Sequence, residues 1–226
     1  MFEYGSRAGF WRVHRIFRKH GFPLTVYAVA QALERNPAAA GAMIDAGWEV
    51  ASHGWRWIDY DEVAEDEERE HIRRAMDSIE RVCGVRPVGW YTGRISQNTR
   101  RLVAEQPGIL YDSDSYADEL PYWVEAGRRA QLVIPYTLDA NDFKFLLVNG
   151  FVTGDDFFAY LVDSFEHLYE DGGRMMSVGL HCRIVGRPGR ARALDRFLAH
   201  VRGRDGVWVT TRAAIARHWR AHFPPP

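Results

Sequence analysis

Short apolar runs alternate with amphipathic helical stretches along the whole chain, and that alternation leaves few folds open. Pro23-Leu-Thr-Val-Tyr-Ala-Val29 is nearly all apolar and rich in β-formers, the pattern of a strand covered on both faces. Similar runs recur at Trp48–Ser52, Val88–Tyr91, Ile109–Tyr111, Leu132–Ile134, Met175–Leu180 and Val207–Val209. Helical spacing fills the intervals. Phe10, Trp11, Val13, Ile16 and Phe17 share one face of a first helix, and Asn36-Pro37 caps a second that runs to Ala46. Ile72, Ala75, Met76, Ile79 and Val82 form the stripe of a long helix from Asp61 to Val82. Further helices are expected at Gln97–Glu105, Asp155–Tyr169, Ala191–Val201 and Ala213–Ala221. A strand and a helix about every thirty residues is the rhythm of βα units around a parallel sheet. About seven strands suit an irregular (β/α)7-type barrel better than a two-faced open sheet, although spacing alone does not separate the two. Such a barrel opens on a strand, whereas this chain opens on Met1-Phe-Glu-Tyr-Gly-Ser followed by a helix.

With 226 residues, 46% hydrophobic and 26% charged, and no linker-like segment, the chain is expected to form a single soluble domain over residues 1–226. Its net charge of −1 provides no broad cationic field, which argues against nucleic acid and membrane partners and for a small-molecule substrate. The two cysteines, Cys83 and Cys182, are far apart and suit a reducing, cytoplasmic setting. No run approaches the length of a membrane span, and the N-terminus lacks a signal-peptide core.

In parallel βα architectures reactive groups gather at the carboxyl ends of strands. His53, Thr92 with Arg94, Asp112 with Asp114, and His181 with Arg183 each follow an expected strand, so all are expected on one rim. Tyr111-Asp-Ser-Asp-Ser115 is equally readable as a turn or as a binding element. His14, His20, His71, His167, His200, His218 and His222 fall on helices or their ends and are expected to be solvated, as is the acidic run Asp59–Glu70. Cys182 beside His181 points to the opposite face of a strand and reads as an inert, buried thiol.

With His53, Arg86-Pro87, Tyr-Asp-Ser-Asp114 and Leu180-His181 in this order along a βα chain, the sequence resembles the polysaccharide deacetylase superfamily. Glu3-Tyr-Gly-Ser-Arg7, Ala32-Leu-Glu-Arg-Asn-Pro37, Ser52-His-Gly-Trp-Arg-Trp-Ile-Asp-Tyr60, Arg86-Pro-Val-Gly-Trp-Tyr-Thr-Gly-Arg94 and His181-Cys-Arg-Ile-Val-Gly-Arg-Pro-Gly-Arg190 resemble its allantoinase branch, which serves purine catabolism. The resemblance implies the NodB-like barrel. Because family members carry an upstream segment with the first barrel strand and its acidic residues, it also implies that this strand is missing here and that the chain is N-terminally truncated or a shortened paralogue. Metal-dependent members hold a divalent ion with an aspartate of that strand and the two histidines of His-[Ser/Thr]-x-x-His. Here the second histidine position is Trp57, whose indole offers no in-plane lone pair, so no metal is expected.

The activity implied is hydrolysis of a cyclic amide, allantoin to allantoate, without a cofactor. His181 would act as general acid or base, and His53 would bind substrate or position the water. Arg94, Arg183, Asp114, Trp57 and Trp90 would bind substrate. Two alternatives stand: a deacetylase or cyclic-imide hydrolase using zinc or another divalent metal, and a truncated, non-catalytic binding fragment. Sheet edges exposed by a missing strand would favour a homo-oligomer.

Overall fold

The computed structural model describes residues 1–226. In chain order, α1 (Phe2–Tyr4) continues through a π-helical turn (Gly5–Gly9) into α2 (Phe10–His20), followed by β1 (Thr25–Ala28), α3 (Ala30–Glu34), α4 (Pro37–Asp45) and β2 (Glu49–Ser52). Next come α5 (Glu65–Cys83), β3 (Gly89–Trp90), α6 (Thr99–Ala104), β4 (Tyr111–Asp112), β5 (Tyr122–Ala126) and β6 (Arg129–Val133). A 3-10 turn (Asp142–Leu146), α7 (Gly154–Asp171), α8 (Pro188–Arg202) and α9 (Arg212–His222) complete the chain. These elements form two compact units: Pro23–Pro135 with Thr210–Pro226, and Met1–Phe22 with Tyr136–Val209. No helix is long and apolar enough to cross a membrane.

The first unit is built on a six-stranded sheet of order β1-β2-β3-β4-β6-β5. All neighbours are parallel except the β5–β6 hairpin, so the α/β, mostly parallel architecture is the one the alternation demands. Ala51, Trp90, Tyr111, Leu132 and Val133 bury their side chains from the sheet, and Ile72, Ala75, Met76 and Ile79 bury the expected stripe of α5. Each large apolar side chain removed from water in this way contributes about 1.5–3 kcal/mol.

α9 is fastened to the sheet through its first turn. Its initial amides meet side-chain oxygens: Arg212 N–H donates to Thr25 Oγ1 at 2.9 Å, Ala213 N–H to Glu49 Oε2 at 2.9 Å, and Ala214 N–H to Thr211 Oγ1 at 3.3 Å. Three donors that every helix N-terminus leaves without an intrahelical partner are thereby satisfied, and Glu49 places a carboxylate where the helix dipole favours it. The Arg212 guanidinium, 8% exposed, donates to Ser113 Oγ and to the carbonyls of Ile134 and Pro135 beyond β4 and β6.

In the second unit α7 packs along α8, and α2 also packs on α8. Thr153 and Asp156 form a capping box at the start of α7. Lys19 and His20 at the end of α2 reach Asp195 of α8 at 2.8 and 2.7 Å. Two glycines allow the closest backbone approach. A Cβ on Gly9 or on Gly186 would overlap the Cys182 carbonyl oxygen, and one on Gly186 would also strike Gly9 itself.

Several boundaries differ from the sequence reading, each for a local reason. α5 begins at Glu65, four residues past Asp61, where Asp61 N–H is taken by the Asp59 carboxylate at 3.2 Å in a turn that competes with helix. Met175–Leu180 contributes only one bridge, Gly179 with Asn141, and Val207–Val209 makes no ladder at all, with Trp208 59% exposed. Neither of these expected strands forms. α3 is additional. Its amides at Ala30 and Gln31 donate to the carbonyls of Gly54 and Trp55, a cap supplied from a distant loop.

Replacing Gly9 with Ala is expected to destabilise the protein by about 1–3 kcal/mol, because the new methyl meets backbone that has no room to yield. Chemical denaturation of G9A beside a surface control such as Ala38→Gly measures the difference.

Candidate active site

Backbone pairing runs one residue past the strand ends of the sheet and thereby positions the loops. His53 N–H donates to Ala28 O at 2.9 Å, Tyr91 N–H to Ser52 O at 3.0 Å, and Ser113 N–H to Trp90 O at 2.8 Å. His53 consequently stands beside Tyr91, with its Nδ1 2.6 Å from the Tyr91 carbonyl oxygen. A carbonyl only accepts, so Nδ1 carries a proton, and in the neutral ring the lone pair is on Nε2. The Tyr91 ring stacks on the imidazole at 5.4 Å between centroids, and Tyr27 lies against both rings. The Tyr27 hydroxyl donates to Ser113 Oγ at 2.7 Å, and burial pushes its phenol up to about 12, so it stays neutral.

The loop after β3 is organised by Asp114. Thr92 N–H reaches both carboxylate oxygens, at 3.0 and 3.1 Å, and Gly93 N–H reaches Oδ1 at 2.6 Å. Gly93 adopts φ +67°, a left-handed conformation that suits glycine. Burial raises the Asp114 carboxyl to about 7; the nearby Asp112 adds to the rise, while the Gly93 and Thr92 amides oppose it. Asp112, 1% exposed, is likewise raised by burial and is partnered by Arg100 at 3.3 Å. Arg94 ends the turn with its guanidinium 4.5 Å above the Trp57 ring centroid. Trp57 is 45% exposed and therefore has surface to offer a ligand.

These residues do not fit the divalent ion of the metal-dependent pattern. The second ligand position is an indole, which has no in-plane lone pair, and that indole carries a cation on its face. No three His, Cys, Asp or Glu side chains are grouped to hold a metal ion.

In the other unit His181 is paired with Asp142. His181 Nδ1 lies 2.6 Å from Asp142 Oδ1, and the amides of His181 and Val185 donate to Oδ2 at 2.8 and 2.9 Å. Asp142 is fully buried, while the His181 side chain remains 28% exposed. A buried carboxylate with these three donors orients the ring and, because it only accepts, keeps a proton on Nδ1. Sequence reading missed Asp142, whose only local mark is an Asn-Asp pair that turn chemistry explains equally well. Arg183 lies with its guanidinium 4.7 Å from the Phe2 ring centroid, and burial lowers its pKa. Burial pushes the Cys182 thiol up to about 11, and neither cysteine is in a disulfide.

Some expectations are corrected here. Trp90 is 1% exposed and packs in the core, so it presents no face to a ligand. Asp114 spends its carboxylate on backbone amides. Three helical histidines are partnered or buried instead of solvated: His20 on Asp195, His200 on Glu166 at 2.5 Å, and His71 against Tyr60. Glu68 of the acidic run is 1% exposed and accepts from Ser96 Oγ at 2.6 Å.

Comparison with known proteins places this geometry in a family. Residues 1–110 match the model for polysaccharide deacetylase. A Schizosaccharomyces pombe protein with the name "Putative polysaccharide deacetylase" is 44% identical across 99% of this chain and 76% of its own length. Among solved structures, a protein from Pseudomonas aeruginosa PAO1 named as a probable polysaccharide deacetylase is 52% identical with a TM-score of 0.96, covering 100% of this chain and 77% of that one. PuuE allantoinase is 51% identical, again with a TM-score of 0.96, covering 100% of this chain and 76% of that one. The chain belongs to the polysaccharide deacetylase superfamily and shares its NodB-like fold, which makes it a hydrolase of that superfamily.

The raised carboxyls give the fold a pH dependence of defined sign. Asp114 binds its proton more tightly folded than unfolded, so its contribution to stability is complete below about pH 4 and is lost as pH rises through about 7. Asp112 acts in the same direction. Stability should therefore fall by about 2–4 kcal/mol from Asp114 alone between those limits. Asp114→Asn should flatten the profile in urea titrations across this pH range; an unchanged slope would contradict the burial of this acid.

Proposed function

We propose that the chain hydrolyses allantoin to allantoate, without a metal. The observation that carries this reading is the 51% identity with PuuE allantoinase over the full chain. Trp57 in the position of a metal-binding histidine supports it, because an indole has no in-plane lone pair to bind a metal ion and has a face on which a planar ring can stack.

Opening the hydantoin ring requires water to attack a ring carbonyl, the resulting oxyanion to be stabilised, and the departing ring nitrogen to receive a proton as the C–N bond breaks. His181, oriented by Asp142, exchanges these protons through Nε2. His53, with its lone pair on Nε2, accepts a hydrogen bond from a ring N–H or from the water. Arg94 offers a fork of donors to carbonyl oxygen, and Trp57 stacks on the ring.

The deacetylase alternative is favoured by the names of the S. pombe and P. aeruginosa relatives. Assay of the purified protein with allantoin, before and after chelator treatment, separates the two. Turnover should be unchanged by the chelator; loss of activity that zinc restores would overturn the metal-free reading. His181→Ala should lower kcat by about 10²–10⁴-fold with little change in KM, the range expected for removing a general acid or base. Asp142→Asn should lower kcat in the same direction, since its amide can present a donor to Nδ1 and favour the wrong tautomer.

A further inference from the structure

We propose that Asp114 is a positioning residue, a latch whose carboxylate holds the Thr92–Arg94 turn so that the Arg94 guanidinium is kept on the face of Trp57. The observations form a continuous chain of contacts within the sheet-bearing unit. The Asp114 carboxylate accepts from the amides of Thr92 and Gly93, which places both its oxygens on backbone and turns them away from any ligand. Its own amide donates to Asp112 Oδ1 at 3.2 Å, and its carbonyl accepts from Arg100 at 2.8 Å, so the latch is itself braced from beneath. Beyond it, Thr92 Oγ1 accepts from Arg94 N–H at 3.1 Å, closing the turn. The Arg94 carbonyl accepts from Tyr60 N–H at 3.2 Å, tying the turn to the loop that carries Trp57. Tyr60 is 2% exposed and bonded to His71, so that loop is anchored in turn.

Arg94 and Trp57 are both exposed, and an exposed cation on an indole is worth only about 0.5–1 kcal/mol. That contact alone does not hold a long side chain in one place against its rotamer entropy. The bonds from Asp114 to the turn supply the missing constraint, because they fix the backbone from which Arg94 departs. In the ureide reading proposed above, on which the kinetic part of this inference rests, the fixed guanidinium and indole together select a planar ring bearing carbonyl oxygens on its edge. Asp114 acts on substrate affinity through Arg94 and makes no contact with the substrate.

The test combines NMR with kinetics on the intact chain. In the wild-type protein the Arg94 δ-protons should show an upfield ring-current shift that Trp57→Leu abolishes. Asp114→Asn, which leaves one acceptor oxygen where there were two, should collapse most of that shift and speed hydrogen exchange at the Thr92 and Gly93 amides at least tenfold. Asp114→Glu should restore part of both. An unchanged Arg94 shift in a folded Asp114→Asn variant overturns the latch, whatever the substrate is. With allantoin, Asp114→Asn should raise KM about tenfold and change kcat less than threefold, and Arg94→Gln with Asp114→Asn should be no worse than Arg94→Gln alone. A damaged fold would lower the active fraction without that split, and independent, multiplying effects would overturn the coupling. Absence of allantoin turnover in the wild-type protein would defeat the ureide reading alone, since the NMR result still decides whether Asp114 positions Arg94.

Discussion

The first turn of α9 is the joint on which the sheet-bearing unit depends. It carries a buried arginine and receives a buried part of a glutamate, and both charges are spent on holding strand ends in register. Glu49 accepts from Thr25 Oγ1 at 2.6 Å, from Tyr111 Oη at 2.8 Å and from Ala213 N–H, which ties β1, β2, β4 and α9 to one carboxylate. Removing that carboxylate would leave a hydroxyl, a phenol and a helix amide without acceptors, and each such loss costs about 1–3 kcal/mol when the group stays out of water. Arg212 does the corresponding work on the other side, donating to Ser113 and to two carbonyls where β4 and β6 end. A short parallel sheet, with β3 and β4 of two residues each, has few ladder bonds of its own, so this side-chain joint matters more than it would in a longer one.

The same joint reaches the candidate site through Ser113. Arg212 and Tyr27 both donate to Ser113 Oγ, at 3.1 and 2.7 Å, and Tyr27 packs against the Tyr91 ring that stacks on His53. His53 therefore takes its orientation from the core as well as from its bond to the Tyr91 carbonyl. A histidine supported in this way loses little freedom on binding a ligand, which is what preorganisation means in energetic terms. In the other unit the orienting group is different in kind. Asp142 is a buried carboxylate that accepts from the imidazole and from two backbone amides at once. The two histidines thus sit in different surroundings, one held by a backbone carbonyl and the other by a buried carboxylate.

Much of this was legible in the sequence, and the exceptions share a cause. The Asn36-Pro37 cap forms as read, with Asn36 accepting from Ala39 N–H at 3.2 Å, because the signal is contained within four residues. The apolar stripe of α5 is legible for the same reason: helical periodicity is local. β1, β2, β3 and β4 appear near their apolar runs, and their loops carry His53, Thr92, Arg94 and Asp114. By contrast, α3 needs the carbonyls of Gly54 and Trp55 to start, and Met175–Leu180 fails as a strand because only Gly179 finds a partner. Asp142 became visible only through its pairing with His181, thirty-nine positions away. Trp90 was ambiguous because an aromatic residue on a short strand satisfies a core and a pocket wall equally well, and only its burial decides.

The change at Trp57 has an electrostatic consequence that residue counting does not capture. Replacing a ligand histidine by tryptophan deletes one donor, but the indole face also recruits the guanidinium of Arg94 to within 4.5 Å. A position that would have drawn a divalent cation now carries a resident positive charge. A cation brought beside it would meet repulsion, weakened by solvent because Arg94 and Trp57 are both exposed. In the ureide reading the same guanidinium offers donors to carbonyl oxygen, so the loop presents a charged fork and a flat aromatic face side by side.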